Sequence, residues 1–227
     1  MSHRIGILGG SFDPVHNGHV DLGTVAQQAL DLTRMFVIPS HTPPHRPQPI
    51  ASSFHRFAMA AMSVAGRPGW RAVDLELRFG VLSYTSSTLQ RFRERGYAPS
   101  DLFFVIGADA FSDIEGWRDY PNILDAAHFA VVSRPGFPVS ELSLRLPQLT
   151  SRMVRPPVDH GAAMEPLIIL IDAPTADVSS TAIRRRLAEG QPIAGLVPLT
   201  VQQHIEQHGL YSSAEPGRRV SDAPPAQ

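Results

Sequence analysis

Apolar residues along this chain recur at two spacings. Short runs at 4–8, 34–38, 70–75, 102–106, 129–132 and 167–171 read as β-strands. The run Leu102-Phe103-Phe104-Val105-Ile106 is unbroken, which implies a strand buried on both faces at the centre of a parallel sheet. Between the strands the spacing becomes helical. Leu22, Val25, Ala26 and Ala29 fall on one helix face from Asn17 onward, and Phe54, Phe57, Ala58 and Ala61 suggest another behind a Ser52 or Ser53 cap. Leu89 and Phe92 follow a start at Thr85 or Ser86, and residues 122–127 read as a further helix. Ile183 and Leu187 point inward from a hydroxyl-capped helix that ends before Gly190. Val201 and Ile205 follow Pro198 in a last helix closing at Gly209-Leu210-Tyr211. Strands alternating with helices predict an α/β fold: a doubly wound parallel sheet with helices on both faces and helices at the C-terminus. In such sheets ligands bind outside the carboxyl ends of the strands.

The connections sharpen this. Gly9-Gly10-Ser11-Phe12-Asp13-Pro14-Val15-His16-Asn17-Gly18-His19 joins the first strand to the first helix, and Gly107-Ala108-Asp109 is a second tight strand exit. Residues 40–49 carry too many prolines for helix or central strand and form a loop. The segment 133–166 is long and weakly patterned, as lids and binding loops are, although Leu142, Leu144, Leu146 and Leu149 suggest a short packed piece within it. Residues 1–211 are expected to form one domain, and 212–227, polar and aperiodic, read as a disordered tail.

Composition removes whole classes of chemistry. Cysteine is absent, so disulfides and thiolate catalysis are excluded. Lysine is absent too, since all 20 basic residues are arginine, which rules out Schiff bases and the P-loop lysine. A formal net charge of −1 gives no pull towards nucleic acid or an anionic membrane. No signal peptide opens the chain and no apolar run approaches ~18 residues, so a soluble cytoplasmic protein is expected. A homo-oligomer is left open.

The chemistry therefore falls to His16 and His19 at the start of the first helix. Helix N-termini present unpaired N–H groups and a positive dipole end, and imidazole N–H groups there can donate to a phosphate. Two other readings compete: a transition-metal pair assisted by His41 or His45, and a pair of capping or core histidines. Neither histidine is followed by the Glu of a metallopeptidase helix. The G-x-x-x-x-G-K-[ST] and G-x-G-x-x-G fingerprints are also missing. Asp13 could fix the glycine turn through its side-chain oxygens.

Residues Gly10 to His19 resemble the G-x-F-x-P-x-H-x-G-H signature of the Rossmann-like nucleotidyltransferase superfamily. Ser179-Ser180-Thr181-Ala182-Ile183-Arg184 resembles its second signature, I-S-[ST]-[ST]-x-I-R, with Val178 in place of the usual Ile. Pro43-Pro44-His45-Arg46, Ser83-Tyr84-Thr85, Ile106-Gly107-Ala108-Asp109, Gly116-Trp117-Arg118-Asp119-Tyr120 and Ser133-Arg134-Pro135-Gly136 narrow the likeness to the nicotinate-nucleotide adenylyltransferase family. Many relatives have Lys where Arg46 stands. The resemblance implies transfer of AMP from ATP, with Mg²⁺, to nicotinate mononucleotide, giving deamido-NAD and pyrophosphate in NAD biosynthesis. Nicotinamide mononucleotide or another phosphate acceptor is the alternative. It implies His16, His19 and Arg184 as catalytic residues. It further implies Gly9, Gly10, Ser11, Phe12, Gly107, Asp109, Ser180 and Thr181 on ATP, with no resident protein-bound metal. His45, Arg46, Ser83, Tyr84, Thr85, Trp117 and Arg134 are implied for the mononucleotide.

Overall fold

The structure, a computed structural model, describes residues 4–44, 47–78, 82–158 and 165–212. Seven parallel strands form one sheet: β1 (Ile5–Gly10), β2 (Arg34–Pro39), β3 (Trp70–Ala72), β4 (Leu102–Gly107), β5 (His128–Val132), β6 (Met153–Val154) and β7 (Ile168–Ile171). Their order is β3-β2-β1-β4-β5-β7-β6. The order reverses direction between β1 and β4, which pair directly, with Leu8 opposite Val105. The carboxyl ends of these two strands frame a topological switch point, where such sheets bind ligands.

Seven α-helices accompany the described strands: α1 (Asn17–Leu30), α2 (Ser53–Val64), α3 (Thr85–Glu94), α4 (Ala108–Phe111), α5 (Leu142–Arg145), α6 (Ser180–Ala188) and α7 (Leu199–Gln207). They divide between two cores. Phe103 and Val105 of β4 face one core, with Leu22 and Ala26 of α1, Met59 of α2, Ile183 of α6 and Ile205 of α7. Leu102, Phe104 and Ile106 face the other, with Leu89 and Phe92 of α3 and Phe111 of α4. Strand side chains alternate in direction, so a continuous apolar strand must serve both layers. Ile183 is fully buried. Truncating such a residue costs about 2–5 kcal/mol, so it is a firm anchor for the short helix α6.

Several expectations change. The segment 133–166 is more ordered than its pattern suggests, holding α5, a 3-10 run Pro147–Arg152 and the edge strand β6. Leu142, Leu146 and Leu149 are buried there, whereas Leu144 is exposed. Residues 159–164, like the expected tail from 213 onward, lie outside the described residues. Asn122–Asp125 is a 3-10 turn rather than an α-helix, and β3 stops at Ala72. The largest correction concerns α2. Its inward face carries Arg56, Met59, Ala60, Ser63 and Val64, while Phe54 is 86% exposed. An aromatic stripe lost its place to a buried arginine.

Candidate active site

The turn after β1 is held from outside itself. Phe12 is in the left-handed region at φ 49°, unusual for an aromatic residue, and is locked by burial of its ring. Beside it Asp13 is 4% exposed. Its Oδ2 accepts the Ile50 N–H at 2.8 Å; its Oδ1 accepts the Ala51 N–H at 3.0 Å and the Tyr211 hydroxyl at 2.7 Å. Burial, then the hydrogen bond and charge of Asp13, push the Tyr211 hydroxyl far above its usual pKa, so it remains a donor. Asp13 thus ties the turn to the start of α2 and to the chain after α7.

Arg56 completes the tie. Its guanidinium donates to the carbonyls of Ser11 (2.8 Å), Ser40 (2.6 Å), Ala51 (3.2 Å) and His41 (3.3 Å), and the residue is 2% exposed. Burial lowers its pKa, and the charge of Asp13 works in the opposite direction. No sequence motif marks this residue. The only available signal was an arginine within an otherwise apolar helix.

His16 caps α1 in extended backbone geometry, and its ring stacks on that of His19 with centroids 3.7 Å apart. The His16 N–H donates to His19 Nδ1 at 3.3 Å, so a neutral His19 carries its proton on Nε2. His16 is 3% exposed and its Nδ1 has no hydrogen-bond partner among the described residues. Burial, and secondarily the Arg134 charge, lower its pKa to about 3, so this imidazole is neutral at physiological pH. Arg134 reaches across the switch point from the end of β5 and donates to the Val178 carbonyl at 3.1 Å. A Cβ on Gly18 would lie 2.9 Å from that guanidinium and 3.1 Å from His16 Nδ1. Gly18 is therefore what permits the close approach.

The second motif docks on the first. Ser179 caps α6 by accepting the Ala182 N–H at 3.2 Å. Ser180 donates to the Pro14 carbonyl at 2.9 Å, and Arg184 donates to the Asp13 carbonyl at 2.6 Å and to the Thr181 hydroxyl at 3.3 Å. Arg184 also lies 3.7 Å from the Asp13 carboxylate. Of its neighbours, Arg186 donates to the Pro192 carbonyl at 2.9 Å. The N-termini of α1 and α6 thus converge on one turn, with His16, His19, Arg134 and Arg184 around it.

A separate cavity of about 420 Å³ opens nearby, lined by Pro43, Pro44, Ser83, Tyr84, Thr85, Trp117 and Arg118 among others. Trp117 packs edge-on against Phe104, with centroids 6.1 Å apart. The Arg118 guanidinium sits 4.5 Å over the Tyr84 ring, a placement the sequence did not single out. Tyr84, which precedes α3, makes no capping side-chain hydrogen bond to the helix among the described residues. The loops are zipped together, since Ser83 Oγ accepts the His41 N–H at 2.8 Å. Behind them Glu76, 8% exposed, accepts from the Thr88 hydroxyl, and burial raises its pKa.

Ser83, Tyr84, Thr85 and Trp117 therefore line one cavity. Arg134 lies instead beside His16 and Gly18 at the turn after β1. Gly9, Gly10 and Ser11 lie at the β1 exit, and Gly107 and Asp109 at the neighbouring β4 exit. His45 and Arg46 lie outside the described residues.

The profile of the cytidylyltransferase-like family matches residues 7–186. The chain belongs to that family. Within it, a probable nicotinate-nucleotide adenylyltransferase from Roseiflexus castenholzii is 39% identical over 213 residues, covering 92% of this chain and 98% of that protein. The nicotinate-nucleotide adenylyltransferase of Salmonella typhimurium is 36% identical over 206 residues, covering 90% and 97%. This family member therefore groups with the nicotinate-nucleotide adenylyltransferases. Among solved structures, the Plasmodium falciparum nicotinic acid mononucleotide adenylyltransferase complexed with NaAD superposes with a TM-score of 0.69 at 18% identity, covering 92% of this chain and 97% of that one. At that identity the likeness bears on the fold alone, and it agrees with the doubly wound parallel sheet. No helix among the described residues is long and apolar enough to cross a membrane.

Proposed function

We propose that this protein transfers the adenylyl group of ATP to nicotinate mononucleotide, releasing pyrophosphate and forming deamido-NAD in NAD biosynthesis. The observation that carries it is the docking of α6 on the turn after β1, beside a distinct aromatic cavity. One half suits a polyphosphate, the other a flat anionic ring.

A 5′-phosphate oxygen of the mononucleotide attacks the α-phosphorus of ATP. The new P–O bond forms as the bond to the bridging oxygen of pyrophosphate breaks. The nucleophile is already anionic near neutral pH, so no general base is required, and catalysis reduces to alignment and charge stabilisation. His19 offers Nε2–H to the α-phosphoryl oxygens, beside the neutral His16. Arg184, the Thr181 hydroxyl and the backbone N–H of Ser180 at the start of α6 receive the β- and γ-phosphates as the leaving group gains charge. At Gly9, Gly10, Ser11 and Phe12 the main chain approaches ATP, and Gly107 and Asp109 face the adenosine ribose. Arg134, across the switch point, serves where the two substrates' phosphates meet.

ATP is taken as its Mg²⁺ complex. Both Asp13 oxygens already accept protein hydrogen bonds, which suits a metal carried by triphosphate and water rather than by this carboxylate. Trp117 stacks on the pyridine ring. The α3 N-terminus at Thr85, with Tyr84, Ser83 and Arg118, favours the nicotinate carboxylate over a neutral amide. His45 and Arg46, in the loop after β2, are assigned to the mononucleotide, Arg46 with a planar fork in place of a point charge. Residues 1–211 act as one catalytic domain.

Pyrophosphate release is measured with ATP, Mg²⁺ and either the acid or the amide mononucleotide. The acid is expected to be turned over with the higher kcat/KM. Preference for the amide would overturn the acceptor assignment, and no release with either would overturn the reaction.

A further inference from the structure

Away from this site, on the outer side of the α2–α7 pair, three histidines meet. His55 lies in the first turn of α2, while His204 and His208 lie one helical turn apart at the end of α7. His55 Nδ1 and His204 Nε2 are 3.1 Å apart. The ring of His208 is 4.9 Å from that of His55 and 4.5 Å from that of His204, centroid to centroid. One ligand nitrogen from each lies within 4.8 Å of the others. His204 is buried, His55 half-buried and His208 exposed, so the trio forms a shallow cup open to solvent on one side.

We propose that His55, His204 and His208 form a binding site for a late first-row divalent cation, Zn²⁺ above all, that clips α7 to α2.

The donor set decides the class of ion. Three neutral imidazoles with no carboxylate among them suit zinc, copper or nickel and give poor sites for Mg²⁺ or Ca²⁺, which want oxygen. Two nitrogens about 2.05 Å from a tetrahedral zinc stand about 3.3 Å apart, close to the 3.1 Å between His55 and His204. A modest turn of the exposed His208 ring would complete the third side, leaving a fourth position to water. Burial and neighbouring histidines lower the pKa of His55 and His204, so both keep a lone pair at neutral pH. Cysteine is absent, so thiolates cannot draw the metal elsewhere in the folded or unfolded chain.

The site would stiffen what the catalytic turn leans on. His55 immediately precedes Arg56, whose guanidinium holds the Ser11 and Ser40 carbonyls. His208 lies just before Tyr211, which holds Asp13. A clip across the two helices braces both supports without touching substrate.

The test uses the full-length protein stripped with a chelator, titrated with Zn²⁺ by calorimetry and with Co²⁺ by visible absorption. The expected result is one metal per chain with a dissociation constant near or below about 1 µM, a tetrahedral Co²⁺ spectrum, and a metal-dependent rise in melting temperature. His204→Ala and His208→Ala should each weaken binding by about tenfold or more, the cost of one lost ligand at roughly 1.4 kcal/mol or above. His208 is exposed at the helix end, so its variant reads out binding even where His204→Ala fails to fold. His19→Ala should leave the stoichiometry unchanged. No binding, or binding that survives His208→Ala and disappears in His19→Ala, overturns the proposal without bearing on adenylyl transfer.

Discussion

Arg56 offers the sharpest test of how the catalytic turn is held. Arg56→Met keeps much of the apolar stem while removing the donors to the Ser11, Ser40, Ala51 and His41 carbonyls. Hydrogen bonds from a charged group contribute about 1.5–3 kcal/mol each, and two of the four are short enough to count fully. Against that loss of about 3–6 kcal/mol stands the relief of no longer burying a guanidinium, whose cost is visible in its lowered pKa. Water can reach only part of the vacated space, so the carbonyls stay largely unsatisfied and the net loss should be about 3–5 kcal/mol. That is a large share of a typical 5–15 kcal/mol. The melting temperature should fall by about 6–20 °C for a chain of this size. Urea unfolding followed by circular dichroism measures the difference directly. Arg56→Lys, which keeps the charge but not the planar fork, should recover part of it. A loss below about 1 kcal/mol in Arg56→Met would show that the turn stands without this support.

Further outcomes follow from the site. His19→Ala should lower kcat by about 10²–10³-fold, the usual cost of one donor to a developing oxyanion, with little change in melting temperature; a large fall in stability instead would assign His19 to packing. Trp117→Ala should raise KM for nicotinate mononucleotide by about 5–150-fold, as expected for 1–3 kcal/mol of base stacking, leaving KM for ATP nearly unchanged. Arg118→Gln should narrow the ratio of kcat/KM between acid and amide acceptors, and an unchanged ratio would remove Arg118 from carboxylate recognition. His16 has its pKa lowered from 6.5 to about 3, so the unfolded chain takes up its proton first as pH falls. Stability is therefore full above about pH 6.5 and should drop by about 2 kcal/mol by pH 5 through this residue. His55 and His204 add to the same trend. The slope contributed by His16 should vanish in His16→Asn, measured as the difference in unfolding free energy between pH 7 and pH 5.

The sheet was readable because each inner strand serves two cores, and that demand leaves continuous apolar runs such as 102–106. The edge strand β6 was not, because two residues paired on one side need no apolar run. The inner face of α2 was misread for a related reason. Periodicity counts apolar residues, and a guanidinium buried by carbonyl bonds looks polar to any such count. At the site, contiguous signatures made His16, His19 and Arg184 visible. Arg118, Tyr211 and the three outer histidines come together only through the fold, from separate loops and helices, and no local spacing announces them. His204 and His208 do stand one helical turn apart, a signal that needed His55 to acquire meaning.

Charge explains why the two signatures must meet rather than merely coexist. Around the turn stand the guanidiniums of Arg56, Arg134 and Arg184, with Asp13 as the buried carboxylate among them. Arg56 is satisfied by carbonyls, so its charge acts as a fixed background more than as a ligand. Asp13 holds Arg184 near enough to be ready, yet the 3.7 Å separation and the exposed face of Thr181 leave that guanidinium free to serve an anion as well. With a neutral His16 at the helix start, the surplus positive charge would serve a polyphosphate in the proposed reaction and grow in value as the leaving group gains charge. The bond from Arg184 to the Asp13 carbonyl is the point at which the second helix meets the first turn.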